Sequence, residues 1–289
     1  VYLSPLIKNQ AKALKAGNKL KMTDAQLAEL IAIYETSHAT LLSALNKANT
    51  DFKKVRARQL LAQVRGILSD LGVKTEKWVE KRIPQFYEMG KVNALIQFKN
   101  NKLSLNRNLE KKFSQIHEDA IKAMVATAKY DFGNSLKAVE KSVKQSLDEM
   151  VKLKTRHLLA EKTVEGATLK ETTSAIKDVF ERRGITALVD KGGKKWQLDV
   201  YSQMLARTKQ AQAHNAGLAN RILENGIDLV KITTHANSCP LCRPWQGKVV
   251  SLTGATKGYP TLADAENDGG HIFKPNCRHS YDIFIKELQ

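Results

Sequence analysis

All three cysteines of the 289-residue chain fall in two stretches, HANSCPLCRPWQGKVV (235–250) and GGHIFKPNCRHSYDIF (269–284), beside three of its seven histidines. Cys239 and Cys242 flank Pro240 and Leu241, a turn-forming pair that lets two thiolates grip one ion from a tight knuckle. Cys277 and His279 are two residues apart, so on an extended backbone their side chains share a face. His235 lies four residues before Cys239, and His271 six residues before Cys277. Tetrahedral zinc takes four such ligands and prefers thiolate and imidazole to oxygen. The minimal set is Cys239, Cys242, Cys277 and one histidine, and the expected cofactor is a structural zinc ion.

Three other chemistries compete for these residues. Buried free thiols are the plainest. A Cys239–Cys242 redox pair is the second, but such a pair opens a helix that stabilises its thiolate, and Pro240 and Pro244 argue against a helix there. A catalytic zinc needs an open coordination position and a nearby general base. Asp264, Glu266 and Asp268 are close in sequence but read more simply as a solvated acidic loop, so no catalytic residue is assigned. An odd cysteine count, with two cysteines three positions apart, argues against a disulfide framework and for a reducing compartment or a metal. The gap between the two halves is long for a simple zinc ribbon, so strand or loop must be folded into it.

The elements that must position this set are mixed in class. "ITALVDKGGKKWQLDVY" from Ile185 reads as strand, Gly-Gly turn, strand. A helix over 199–225 ends at Gly226, and "DLVKITTH" follows as an apolar strand. "HSYDIFI" is a final alternating strand. On the helix, Arg207 and Thr208 share a face with Ala211, His214 and Leu218, which reads as Arg207 bonding the carbonyls of later loops. Trp245 is expected to pack beneath the knuckle, and Trp196 to anchor the Gly-Gly hairpin.

Everything before Gly184 reads as helix. Thr23 and Gln26 make a capping-box pattern. Leu27, Leu30, Ile31, Tyr34, His38, Leu41, Leu42 and Leu45 then recur at helical spacing, with His38 a core histidine. Leu60, Leu61, Val64, Ile67, Leu68 and Leu71 repeat the pattern over 51–71, with Gly72 as the stop, so the pair is expected to form an antiparallel helical hairpin. Residues 74–100 are helical with a start or kink at Pro84. Residues 105–162 form a long helical stretch that Gly133 bends or divides, and a short helix spans 168–183. The predicted fold class is α+β: a helical, basic N-terminal arm or bundle over 1–183, then a small α+β domain over 184–289 that holds the metal knuckle.

Net charge is +18 with a sequence pI near 9.7. Residues 184–289 carry 13 Lys/Arg against 9 Asp/Glu, which leaves 34 against 20 in residues 1–183. Such a basic region favours polyanions, DNA or RNA above all, or an acidic protein surface. A hydrophobic content of 42% supports a real core. No apolar run reaches transmembrane length and no charged-then-apolar leader opens the sequence, so neither a membrane partner nor a signal peptide is expected.

The C-terminal motif series resembles the phage minor capsid protein 2 family, which is related to Mu F-type head-morphogenesis proteins. The matching residues are Gly193-Lys194-Lys195-Trp196, Tyr201, Arg207-Thr208, His235, Cys239-Pro240, Cys242, Pro244-Trp245, Gly247, Tyr259-Pro260 and Pro275-Asn276-Cys277-Arg278-His279. They cover about residues 190–285, and the helical remainder carries no motif of its own. One departure stands out: Lys274 occupies the position where the family has a histidine, and His271 precedes it. The fourth ligand is then His279, whose spacing from Cys277 is intact, with His271 as the alternative.

The resemblance implies a low-copy structural protein of a tailed-phage head, not an enzyme, associated with the portal vertex and active in head assembly. It would be made in the bacterial host cytoplasm and lie in the virion, on the inner side of the head. Its implied partners are the portal protein, the major capsid protein and, without sequence preference, packaged double-stranded DNA. The alternative is a zinc-dependent DNA-binding or DNA-processing protein, which nuclease activity would distinguish. A fused toxin or effector domain is not expected, because the sequence ends soon after the last motif strand.

Overall fold

The computed structural model describes residues 25–47, 54–105, 110–161, 187–189, 194–268, 273–275 and 277–286. The chain is mostly helical, with a small antiparallel sheet near the C-terminus. The elements are α1 (Ala25–Lys47), α2 (Lys54–Asn100), α3 (Glu110–Glu161), β1 (Ala187–Val189), β2 (Lys195–Gln197), α4 (Leu198–Glu224), β3 (Leu229–Ile232), β4 (Val249–Ser251), α5 (Leu262–Asn267) and β5 (Tyr281–Ile283). No described helix is long and apolar enough to cross a membrane.

Two compact units cut across the division of sequence character at Gly184. One combines Val79–Ala128 with Met204–Gln289, and the other combines Ala25–Trp78 with Lys129–Gln203.

The second unit is built on narrow apolar seams. On α1 the buried positions are Leu27, Leu30, Tyr34, Ser37, Leu41 and Ala44, alternating steps of three and four as a helix packing along one line requires. Leu42, placed on the apolar face by spacing, is instead 42% exposed. The seam continues on α2 through Ala57, Leu60, Val64, Leu68, Leu71, Thr75 and Trp78, and on α3 through Phe132, Leu136, Val139, Val143, Leu147 and Met150. Phe132 anchors it, with ring centroids 6.3 Å from Tyr34 and 6.5 Å from Trp78. Arg65 bridges to Glu140 at 2.7 Å. His38 is half-buried and lies 3.9 Å from Asp199. The strands β1 and β2 pair antiparallel, Leu188 opposite Trp196, as the Gly-Gly pattern predicts.

The stop expected at Gly72, a helix start at Pro84 and a division at Gly133 are absent. α2 runs 47 residues without a break, through both Gly72 and Pro84. A mid-helix proline costs about 3 kcal/mol. Burial of Ile83, Phe86 and Tyr87 beside it offsets that cost, at roughly 1.5–3 kcal/mol for each large side chain. Likewise α3 passes through Gly133 as one 52-residue helix. The expected cap at Thr23, the turn before α2 and the helix over 168–183 lie outside the described residues.

In the first unit, the later half of α2 is buried on nearly every side: Val79, Ile83, Phe86, Tyr87, Met89, Asn93, Ala94, Ile96, Gln97 and Phe98. Its backbone meets that of α4 directly. A Cβ on Gly90 would lie 2.0 Å from the His214 carbonyl oxygen, and one on Gly217 would lie 2.0 Å from the Tyr87 carbonyl oxygen. Glycine at both positions is what allows the approach. Helix α4 stops at Gly226, whose φ of 80° only glycine adopts readily. The sheet order is β4-β3-β5, with Val230 opposite Val250 on one side and Ile283 on the other. Its core joins Phe98, Leu218, Ile222, Val230, Val250 and Tyr281 to Cys242 and Trp245.

Polar side chains hold this unit together as much as apolar ones do. Gln97 donates to the Tyr281 carbonyl at 3.3 Å and accepts from the Ile283 N–H at 2.7 Å, fixing β5 to α2. His117 joins Tyr87 Oη at 2.8 Å to the Glu224 carboxylate at 3.2 Å. Asn220 also donates to Tyr87 Oη, and Arg221 to Glu224. Burial lowers the His117 pKa, so the ring is held neutral.

Candidate metal centre

The two halves of the cysteine–histidine set are delivered by the two edges of β3. After β3 the chain turns through Thr233–Ser238 into the knuckle. There the Cys242 and Arg243 N–H groups both donate to the Cys239 carbonyl, at 3.1 and 3.2 Å. Cys242 then leads a single 3-10 turn, Arg243–Trp245, with proline inside it. It does not open an α-helix, which removes the setting a redox pair needs. Gly247, at φ 71°, returns the chain by donating to the Ile232 carbonyl at 2.9 Å. Trp245 is buried beside Cys242, as expected, and its indole N–H donates to Asp268 at 2.9 Å.

The other half rides on the approach to β5. Ser280 and Thr233 exchange two bonds of 3.0 Å, one backbone to backbone and one from the Ser280 N–H to Thr233 Oγ1. Asn215 of α4 donates to the His279 carbonyl at 3.1 Å and accepts from Ser280 Oγ at 2.7 Å. Tyr281 Oη donates to the Asn215 carbonyl. His214, next to Asn215, is itself held by Asn93 at 2.8 Å. The ligand-bearing strand is thereby bolted to α4, and α4 to α2.

These scaffolds bring Cys242, Cys277 and His279 together, with one ligand atom of each within 4.8 Å of the others. Cys239 Sγ lies 3.2 Å from Cys242 Sγ, and Cys277 Sγ 3.2 Å from His279 Nδ1. All three cysteines are free thiols. Cys242 and His279 are buried, Cys277 is partly buried and Cys239 is exposed, so the cluster opens to solvent on one side. His271 lies outside the described residues. His235 is exposed, its ring edge-on to His279 with centroids 4.8 Å apart.

The donor set fits a soft divalent cation. Burial pushes the Cys242 thiol up to about 12, and the neighbouring thiols of Cys239 and Cys277 add to the rise. Three sulfurs this close cannot ionise together without a cation, and zinc deprotonates the thiols it binds. Hydrogen bonding from Cys242, then from the backbone N–H groups of Cys242 and Leu241, pulls the Cys239 thiol down. His279 is lowered by burial and by His235, so its ring is the neutral form a metal needs. Its Nε2 is buried without a hydrogen-bond partner among the described residues, an exception in folded proteins. Small shifts, opening the two 3.2 Å pairs and closing the wider separations, bring these atoms to the spacing of a tetrahedral zinc site, about 3.5–3.8 Å.

The acidic residues nearby have other duties. Asp264 closes a capping box with Thr261 at the start of α5, and Asp268 holds Trp245. The stretch expected to be a solvated acidic loop is a short capped helix. Thr208 turns back onto its own helix and donates to the Met204 carbonyl at 2.8 Å. Sequence reading did not single out Asn93, Gln97, His117, Asn215 or Glu224. Their only signal is polarity on the otherwise apolar faces of α2, α3 and α4.

The family model described as phage minor capsid protein 2 matches residues 7–289, far beyond the C-terminal motif series. A "Structural protein" of Lactococcus phage LL-H is 27% identical over 107 residues, covering 35% of this chain and 29% of the relative. The chain thus spans less than a third of the length of that curated relative. No solved structure matches.

Proposed function

We propose, on the premise that this chain belongs to the phage minor capsid protein 2 family, that it is a low-copy structural protein stationed at the portal vertex of a tailed-phage head. The family match over nearly the whole chain carries this reading. It acts in head assembly, on the inner side of the capsid, and meets the portal protein, the major capsid protein and packaged DNA. Its role is structural rather than catalytic. Cys239, Cys242, Cys277 and His279 hold a structural zinc ion, with His271 as the alternative to His279. The support for zinc is the gathering of three ligand atoms within 4.8 Å and the fourth sulfur 3.2 Å from Cys242. The strands are only three or four residues long, and a metal staple at their ends would add to the apolar core they share with α2 and α4.

Quantitative mass spectrometry of purified particles tests the location. A low, fixed copy number relative to the major capsid protein in DNA-filled heads is the expected result. Absence from mature particles overturns a permanent vertex role. Co-expression with the portal protein tests the contact itself: separate migration at every salt concentration removes the portal from the reading.

A further inference from the structure

We infer that the exposed face of α3 from Tyr130 to Lys152 is a docking surface for duplex DNA. The inference rests on the reading of packaged DNA as a partner and assigns that contact to particular residues. Along this stretch Tyr130, Asn134, Lys137, Lys141, Lys144, Gln145, Asp148 and Lys152 are all exposed. At 100° per residue, Tyr130, Lys137, Lys141, Lys144 and Lys152 fall within one narrow stripe. Tyr130, at one end of the stripe, is 68% exposed.

The charges on this stripe are unlike those elsewhere on the same helix. Earlier on α3, Lys122 sits 3.9 Å from both Glu118 and Asp119, so that face is self-neutralised. On the stripe, Lys137, Lys141, Lys144 and Lys152 form no ion pair among the described residues, and Asp148 is the only acid in line. The neighbouring Glu140 is already taken by Arg65. Four like charges on one face repel one another, and on a helix that needs stability alone they would alternate with acids. From Lys137 to Lys152 the stripe is about 22 Å long, which spans about six phosphates of one DNA strand. Lysine on a flexible stem suits phosphate contact without base selection, and Tyr130 adds a hydroxyl donor at one end.

The test is binding of a 30-base-pair duplex to the full chain by fluorescence anisotropy across a salt series. Two variants are compared: K137Q/K141Q/K144Q/K152Q, and a control, K77Q/K231Q/K257Q/K286Q, that removes the same charge from other exposed positions. Glutamine keeps helix propensity, and circular dichroism verifies the fold of each. The expected result is a salt slope lowered by about 3–4 in the stripe variant only, with equal loss on unrelated sequences. An equal loss in both variants overturns the stripe in favour of diffuse charge. Failure of the unaltered chain to bind duplex at low salt overturns DNA as a partner altogether.

Discussion

Helix α2 meets two packing regimes in one continuous run. Up to Trp78 it buries one residue in every three or four, a single seam that leaves the rest of its surface wet. From Val79 onward it is buried on most sides, and polar groups such as Asn93 and Gln97 go in with the apolar ones. The first regime needs only periodicity, and many sequences satisfy it. The second needs particular partners: a glycine where another backbone passes, an amide where a strand edge must be met. The unit of Ala25–Trp78 with Lys129–Gln203 is held by apolar seams. The unit of Val79–Ala128 with Met204–Gln289 is held by close backbone contact, buried hydrogen bonds and the cysteine–histidine cluster.

Removing the proposed zinc is the sharpest way to break this comparison. A strong chelator, or Cys277→Ser, is expected to lower the unfolding transition of the cluster-bearing unit by tens of degrees and leave the seam-built unit intact. Calorimetry with and without chelator reads both transitions, and identical traces would sink the structural zinc. Phe132→Ala is the mirror experiment. It should cost about 3–5 kcal/mol in the seam-built unit, measured by denaturant titration, and leave metal retention unchanged.

Smaller effects sharpen the contrast. Gly217→Ala forces a methyl onto the Tyr87 carbonyl and should cost about 2–3 kcal/mol in the first unit. Gly66→Ala, where nothing lies within 4 Å of the new Cβ, should be neutral or stabilising. Asp228 gives an effect that depends on pH. Partial burial raises its pKa, but hydrogen bonds from Ser251, Thr256 and Thr253 together outweigh burial and hold the carboxyl well below the usual range. Its contribution is therefore present above about pH 4 and lost as pH falls towards the folded-state pKa. Asp228→Asn should cost about 2 kcal/mol at pH 7. It should also flatten the acid limb of the stability profile.

The sequence made the seams and the cluster readable for different reasons. Apolar spacing located α1 and the first part of α2, because burial on one line writes itself as a period, while α3 and α4 were found to within a few residues from helix-forming composition and a glycine stop. The Cys239–Cys242 and Cys277–His279 spacings named the residues that the fold gathers. Where spacing failed, a tertiary contact had overruled a local rule. Gly72 looked like a stop and Pro84 like a start or a kink, yet α2 runs on through both positions. Asp264, Glu266 and Asp268 looked like loop residues, yet the mutual capping of Thr261 and Asp264 starts α5 there. His117, Asn215 and Glu224 left no period, since each answers particular partners far away in the chain.

The bond between Gln97 and β5 has a consequence for synthesis. Gln97 leaves the ribosome long before Tyr281 and Ile283, its partners 184 and 186 residues further on. Through that interval the later half of α2 lacks the surfaces that will cover Phe98 and Ala94. A nascent chain in this state is a substrate for chaperones and a hazard for aggregation. The seam-built unit, whose last segment ends at Gln203, has all of its residues made first. A ribosome stalled before β5 would then hold one finished unit and one open one, with the segment Val79–Ala128 of the open unit still waiting for its partners.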